Sequence, residues 1–161
     1  EAGANLQISP IYGRAFGKDR AVMSAPYLHG NQITMISAIS LDKIEASMYG
    51  QWAANTEIFG FFIEHYLAPV LTPKHTVVMD NVPFHKSTVI QNAIRETGAN
   101  ILFLPPYSPE FNPIEEMWSK LKCLLRKLQA RTMRTFKSAI KKAYDSISQS
   151  DLLGWFKHAG Y

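Results

Sequence analysis

The sequence has one cysteine among 161 residues and no long apolar run. The lone Cys123 excludes an internal disulfide and is typical of a reducing compartment. No apolar stretch reaches the roughly 20 residues of a membrane span, and the opening residues EAGANLQISP lack the basic and apolar regions of a signal peptide. These absences predict a soluble, intracellular protein.

Acidic residues are missing from one long stretch. Residues 117–142 carry nine of the 17 lysines and arginines and no aspartate or glutamate. A solvated helix face opposite a packed apolar stripe is one explanation for these cations. Nine cations without an intervening acid favour instead a DNA backbone, bound through sequence-independent and salt-sensitive phosphate contacts.

The chain length and the 47% hydrophobic content predict one domain with its own core. The first residue is not methionine, and the opening residues show no signal for a helix or a strand. We therefore expect a further segment to precede Glu1.

An antiparallel β-hairpin is predicted over residues 32–41 and 46–51. A helix capped by Asn55 or Thr56 should then run to Pro69. Its apolar residues repeat at helical spacing and predict a core-facing side made of Ile58, Phe61, Phe62, Tyr66 and Leu67.

A parallel βαβ unit is predicted next. Residues 76–79 (TVVM) and 100–104 (NILFL) are apolar enough to be strands buried on both faces, and the helix between them should close at Gly98. After the proline-rich turn PPYSPEFNP, helices are predicted at about 113–130, 133–147 and 151–158. The apolar stripe of the first of these comprises Ile114, Trp118, Leu121, Leu125 and Leu128, with Trp118 in the core.

Two acidic residues stand at positions that suit metal binding. Asp80 follows the strand TVVM, at the strand end where ligands gather in open α/β sheets, although Asp-Asn also commonly starts a loop. Glu115 follows after 34 intervening residues, in the first turn of the long helix. It could instead complete a capping box with Asn112.

The segments around these acids resemble a known family. VVMDN and LPPYSPEFNPIEEMWSKLK resemble the second and third signature blocks of mariner-like DDE transposases, in the insertion-sequence branch found in bacteria. In that family an Asp ends a central strand and a Glu follows 34 residues later in an NPIE block. The resemblance extends through YGRA at 12–15, TMISAIS, DNVPFHK at 80–86 and the ending GWFKHAGY.

The resemblance implies a ribonuclease H-like α/β fold, a mixed sheet flanked by helices, here without its first strand. It implies that Asp80 and Glu115 are the second and third catalytic carboxylates, with the first Asp directly before Glu1. Glu1 should face the other side of that strand and not substitute for it. Residues 1–161 are then the catalytic domain, without the upstream helix-turn-helix region of the family.

The resemblance also implies a cofactor and partners. Two Mg²⁺ or Mn²⁺ ions would stabilise the attacking and leaving oxygens of DNA cleavage and strand transfer, with Asp80 on one ion and Glu115 on the other. The expected substrates are double-stranded transposon ends and target DNA. The full-length protein is expected to be a homodimer in the bacterial cytoplasm, associated with the nucleoid, and the fragment alone is expected to be inactive.

His85 is a third catalytic candidate, which could position water, phosphate or Asp80; a helix cap or surface histidine is the alternative. Glu116 points about a hundred degrees away from Glu115 and is the weaker candidate. The other histidines show no metal-ligand spacing and are expected to be structural or exposed: His29, His65, His75 and His158. The residues expected to hold DNA are Arg14, Lys120, Lys122, Arg126, Lys127 and Arg131.

The leading hypothesis is thus a metal-dependent enzyme of DNA transposition. The alternative is a non-catalytic DNA-binding or assembly remnant of a transposase. A repair or recombination nuclease of the same fold is disfavoured by the NPIE block.

Overall fold

A computed structural model describes residues 1–24 and 32–161. The expectation for His29 lies outside these described residues. Within them, no helix is long and apolar enough to cross a membrane.

The strands form two separate sheets. β1 (Ala2–Ala4), β2 (Ile33–Ile39) and β3 (Ile44–Gly50) make an antiparallel sheet in the order β1-β2-β3. β4 (Thr76–Met79) and β5 (Asn100–Phe103) make a parallel pair. The predicted hairpin and the βαβ unit are therefore confirmed, whereas β1 has no signal in the sequence. It forms because Ala2 and Ala4 bury their methyl groups in a core cluster with Met117, Trp118 and Leu121.

The prediction that β4 and β5 are buried on both faces is wrong. Only Met79 of β4 is buried, and Leu102 of β5 is 49% exposed. The physical reason is that the two strands pair only with each other among the described residues, which leaves one long edge of each strand without a strand neighbour.

The first helix begins as predicted and then widens. α1 (Thr56–Phe62) starts at Asn55, whose side chain accepts a hydrogen bond of 2.8 Å from the Ile58 amide. The chain continues as a π-helical turn, Ile63–Leu67, which shifts the buried face. Tyr66 is therefore exposed, contrary to the prediction. Phe61 is also exposed, because it lies about 200° around α1 from the buried Phe59. The core-facing set is Phe59, Phe62, Ile63 and Leu67.

Four further helices follow. α2 (Thr88–Arg95) leads to Gly98, whose φ of 82° closes the unit as predicted. The others are α3 (Pro113–Leu128), α4 (Met133–Asp145) and α5 (Gln149–His158).

α3 is the central helix of one half of the core. Trp118, Leu121 and Leu125 are at most 2% exposed, which confirms the predicted stripe and the core position of Trp118. Leu128 departs from the prediction because it lies in the final turn and is 46% exposed. Each fully buried side chain contributes roughly 1.5–3 kcal/mol. This packing fixes the direction in which the N-terminus of α3 points.

Candidate functional site

Asp80 lies directly after β4, at the carboxyl end of the strand. Its Oδ1 lies 2.6 Å from Nδ1 of His85, within ion-pair distance, although neither atom makes a well-aligned hydrogen bond. The Asp80 carboxyl group as a whole is half exposed. One oxygen is thus held by the protein while the side chain still reaches solvent.

His85 is buried, with 4% of its surface exposed, in the 3₁₀ turn Pro83–Lys86. Its ring packs against Phe59 and Phe84, with centroid distances of 4.2 and 4.5 Å. Its Nε2 lies 3.2 Å from a carboxylate oxygen of Glu1. The surface-histidine alternative is therefore wrong: the imidazole bridges two acidic side chains.

The pKa values of this pair shift in complementary directions. Contact with His85 lowers the pKa of Asp80 below its ordinary value and outweighs the opposing effect of burial. Burial lowers the pKa of His85, but the contacts with Asp80 and Glu1 outweigh it and raise the pKa. Both shifts favour a charged carboxylate beside a protonated imidazole.

Glu115 lies in the first turn of α3. Asn112 is the N-cap residue, but its side chain makes no capping hydrogen bond, and only its carbonyl accepts from the Glu115 amide. The capping box considered as the alternative does not form. The Glu115 side chain is exposed and forms no capping hydrogen bond with Asn112.

One cleft of about 330 Å³ brings the three candidates together, since Asp80, His85 and Glu115 all line it. Its walls include the edge of β2 at Ser37 and Ala38 and the edge of β4. Phe59 and Phe62 contribute apolar lining. Two acids far apart in the chain therefore share one solvent-accessible depression.

Glu1 also lines this cleft, where its carboxylate contacts His85. Its neighbour Ala2 instead packs into the core cluster that contains Trp118, so Glu1 and Ala2 point to opposite sides of the chain. The expectation that Glu1 faces away from the residue before it stays a prediction. The sequence contains no signal for the contact between Glu1 and His85, since 84 positions separate the two residues.

Two of the expected DNA-binding cations are held by the protein itself. Lys120 Nζ lies 2.5 Å from Asp151 of α5 and also donates to the Ser146 carbonyl. Arg131 donates to the carbonyls of Leu6 and Ile8 and to the Ser9 hydroxyl. The Lys120 contact, together with hydrogen bonds from the Ser148 amide and hydroxyl, lowers the pKa of Asp151 to about 2.

The remaining expected cations lie in three places. Lys122 and Arg126 line a groove beside β1, and Lys127 is exposed on another face of α3. Arg14 is exposed in an irregular segment. Glu116 turns toward α5, where its carboxylate lies 3.8 Å from Nε2 of His158.

The other described histidines are outside the cleft or at its rim. The His65 ring lies 4.3 Å from the Phe61 ring, tilted by 55°, and His75 Nδ1 accepts from the Thr72 amide at 2.9 Å. Within residues 1–24 and 32–161, no group of three or more His, Cys, Asp or Glu side chains is close enough to hold a metal ion.

Comparison with known proteins places the chain in a family. The family model described as DDE superfamily endonuclease matches residues 1–138. This chain belongs to the DDE superfamily endonuclease family. A curated relative, the Tcb1 transposable-element transposase of Caenorhabditis briggsae, is 35% identical over 68 residues, or 42% of this chain and 25% of the relative.

Solved transposase structures share the fold. The Mos1 transposase paired-end complex with the left transposon end superposes with a TM-score of 0.78 at 11% identity, over 97% of this DDE family chain and 49% of that one. The Mos1 catalytic domain with raltegravir and Mg gives a TM-score of 0.66 at 12% identity, over 78% and 69%. The mixed α/β, ribonuclease H-like fold expected from the sequence is confirmed.

The chain spans about half the length of the Mos1 paired-end complex chain and a quarter of the Tcb1 transposase. The comparisons establish the family and the fold of this chain. Its activity has to be argued from the residues that line the cleft.

Proposed function

We propose that this chain is the catalytic core of a cut-and-paste DNA transposase, with Asp80 and Glu115 as metal-binding carboxylates. The observation that carries the proposal is the single cleft that both side chains line, one from the end of β4 and one from the start of α3. Membership of the DDE superfamily endonuclease family supports the same chemistry.

The donor set suits a hard divalent cation. Asp80 and Glu115 offer carboxylate oxygens, which Mg²⁺ and Mn²⁺ prefer, and neither carboxylate is used up by a salt bridge to lysine or arginine among the described residues. A pair of such ions, once bound, would neutralise charge on the attacking and leaving oxygens at phosphorus. We infer Mg²⁺ or Mn²⁺, two ions per site; Mos1 has been solved both with Mn and with Mg.

His85 acts on Asp80 and not on the substrate in this proposal. Buried against two aromatic rings, the imidazole cannot turn, so the 2.6 Å contact fixes one oxygen of Asp80. The second oxygen is left to bind a cation. We therefore assign His85 as a positioning residue for the carboxylate.

A third carboxylate is needed, and the cleft indicates where it would lie. Two strand edges line the cleft, and neither is paired with another strand among the described residues. One is the edge of β2 after Met35, and the other is the edge of β4 along its whole length. A strand running into Glu1 would fill the part of the cleft between these two edges, pairing antiparallel with β2 and parallel with β4. Its last residue would lie beside Asp80 and Glu115. We propose that this residue is Asp and that residues 1–161 alone have little activity.

The proposed substrate is double-stranded DNA, both transposon ends and target. The cations of α3 and the fold shared with Mos1 complexes that contain a transposon end support this partner. Homodimer formation by the longer protein and a location at the bacterial nucleoid stay predictions from the sequence.

The test lengthens the chain before Glu1 by an apolar strand ending in Asp, with the same strand ending in Asn as the matched control. Nicking of a labelled duplex should require Mg²⁺ or Mn²⁺ and the Asp form. Asp80→Asn or Glu115→Gln should reduce it to the metal-free level. Cleavage retained in either variant would refute the assigned site, and a folded but inactive Asp form would favour the DNA-binding remnant.

A further inference from the structure

Two cations of α3 share a face with Glu115. In an α-helix, residues seven and eleven positions apart lie within about 20° of each other around the axis. Lys122 and Arg126 stand at these spacings from Glu115, about 10 and 16 Å farther along the helix. A straight line along α3 thus connects the acidic cleft with two positive charges.

These two side chains line a groove of about 410 Å³. Its other wall is formed by residues 3–5 and 7–9 and by Gln32, so that amide side chains of Asn5 and Gln32 lie among its lining residues. No acidic side chain is among the described residues that line it. Two cations with neighbouring amides and no carboxylate suit a phosphodiester backbone.

Residues 1–3 and Gln32 lie between the groove and the acidic cleft. A shallow depression between them shares Gly3 and Gln32 with the groove and shares Glu1 with the cleft. A Cβ atom on Gly3 would collide with the Gln32 amide nitrogen, so the glycine lets the Gln32 side chain pack directly against β1.

We propose that the groove formed by residues 3–9, Gln32, Lys122 and Arg126 binds the sugar–phosphate backbone of the DNA strand that enters the acidic cleft. The inference rests on the proposed function and narrows it. Lys120 and Arg131 are structural in this account, because Asp151 and backbone carbonyls already hold them. Lys127 lies on another face and does not touch the strand.

A charge-matched pair of double variants tests the groove. Lys122→Gln with Arg126→Gln removes both groove cations, while Lys127→Gln with Lys137→Gln removes two exposed cations elsewhere. Affinity for a short fluorescent duplex is measured by anisotropy over a salt series, in EDTA so that no cleavage occurs. The logarithm of the association constant falls linearly with the logarithm of the salt concentration. The groove variant should make this slope less steep by about 1.8, at ~0.9 per phosphate contact, and the control variant should change it far less.

Equal effects of the two double variants, or no effect of the groove variant, would overturn the proposal. Lys122→Arg with Arg126→Lys should keep the salt slope, because the charges stay in place. Gln32→Glu, which puts a carboxylate in the path, should weaken binding more than Gln149→Glu on the exposed start of α5. Folding of each variant is checked by its thermal transition.

The outcome separates this inference from the proposed function. If the lengthened chain binds DNA through the groove but never cleaves it, the groove proposal is supported and the proposed nuclease activity is refuted. If the lengthened chain cleaves DNA with metal but the groove variant binds DNA normally, the nuclease activity is supported and the groove proposal is refuted.

Discussion

The two charged faces of α3 carry the same kinds of residue but have different neighbours. On one face Glu115 opens onto the cleft, and Lys122 and Arg126 line the groove. On the other, Glu116 turns toward His158 and Lys120 is clamped by Asp151. α5 packs over the second face and supplies its counter-charges. The sequence alone therefore does not tell which cations of α3 form ion pairs within the protein and which are free to bind a ligand. The position of α5 decides this.

The largest expected difference between the faces is catalytic. In the chain lengthened by a strand ending in Asp, Glu115→Gln should reduce metal-dependent nicking to background, whereas Glu116→Gln should keep most of it. The reason is that only Glu115 lines the cleft with Asp80. The nicking rate of each variant is measured on a labelled duplex. An inactive Glu116→Gln variant beside an active Glu115→Gln variant would show that Glu116, and not Glu115, is the metal-binding residue.

The apolar side of α3 offers the next largest contrast. Leu125 is 1% exposed and Leu128 is 46% exposed, one turn apart. Leu125→Ala should lower the free energy of unfolding by about 2–5 kcal/mol because it leaves a cavity. Leu128→Ala should change it by less than about 1 kcal/mol. Urea unfolding followed by tryptophan fluorescence checks both, and similar losses would contradict the packing described for the last turn.

A smaller contrast compares Lys120 with Lys122. Lys120→Gln should lower the free energy of unfolding by about 0.5–1 kcal/mol, because its pair with Asp151 is partly exposed and screened by solvent. Lys122→Gln should leave stability nearly unchanged. If Lys120→Gln instead weakened DNA binding as much as Lys122→Gln does, the division of the faces would be wrong.

The smallest effect is the pH dependence of the stability that the Lys120–Asp151 ion pair contributes. The pKa of Asp151 is lowered from 3.8 to about 2, so its contribution is complete above pH 3.8 and is lost as the pH falls toward 2. Asp151→Asn should therefore be less stable than the parent at about pH 6, and the difference should shrink over this acidic window. Urea midpoints at a series of pH values measure it; a difference that grew on acidification would contradict the sign.

Much of the site was predictable because it depends on local sequence. A short apolar strand ending at Asp80 and an Asn-Pro helix start before Glu115 are local signals, and both elements form where the sequence predicts them. His85 was identified by its spacing from Asp80, but its burial was not, because burial depends on Phe59 and Phe84 packing around the ring.

By itself the sequence determined the order of the helices and of the strands after β1, the family and the acidic candidates, since periodicity, turn residues and motif spacing are properties of neighbouring positions. Only the tertiary structure decided which cations are held by the protein, that Glu1 contacts His85, and that Gly3 and Gln32 line the groove with Lys122 and Arg126. Those contacts join residues far apart in the chain, and their partners are set by how the helices pack against the sheets.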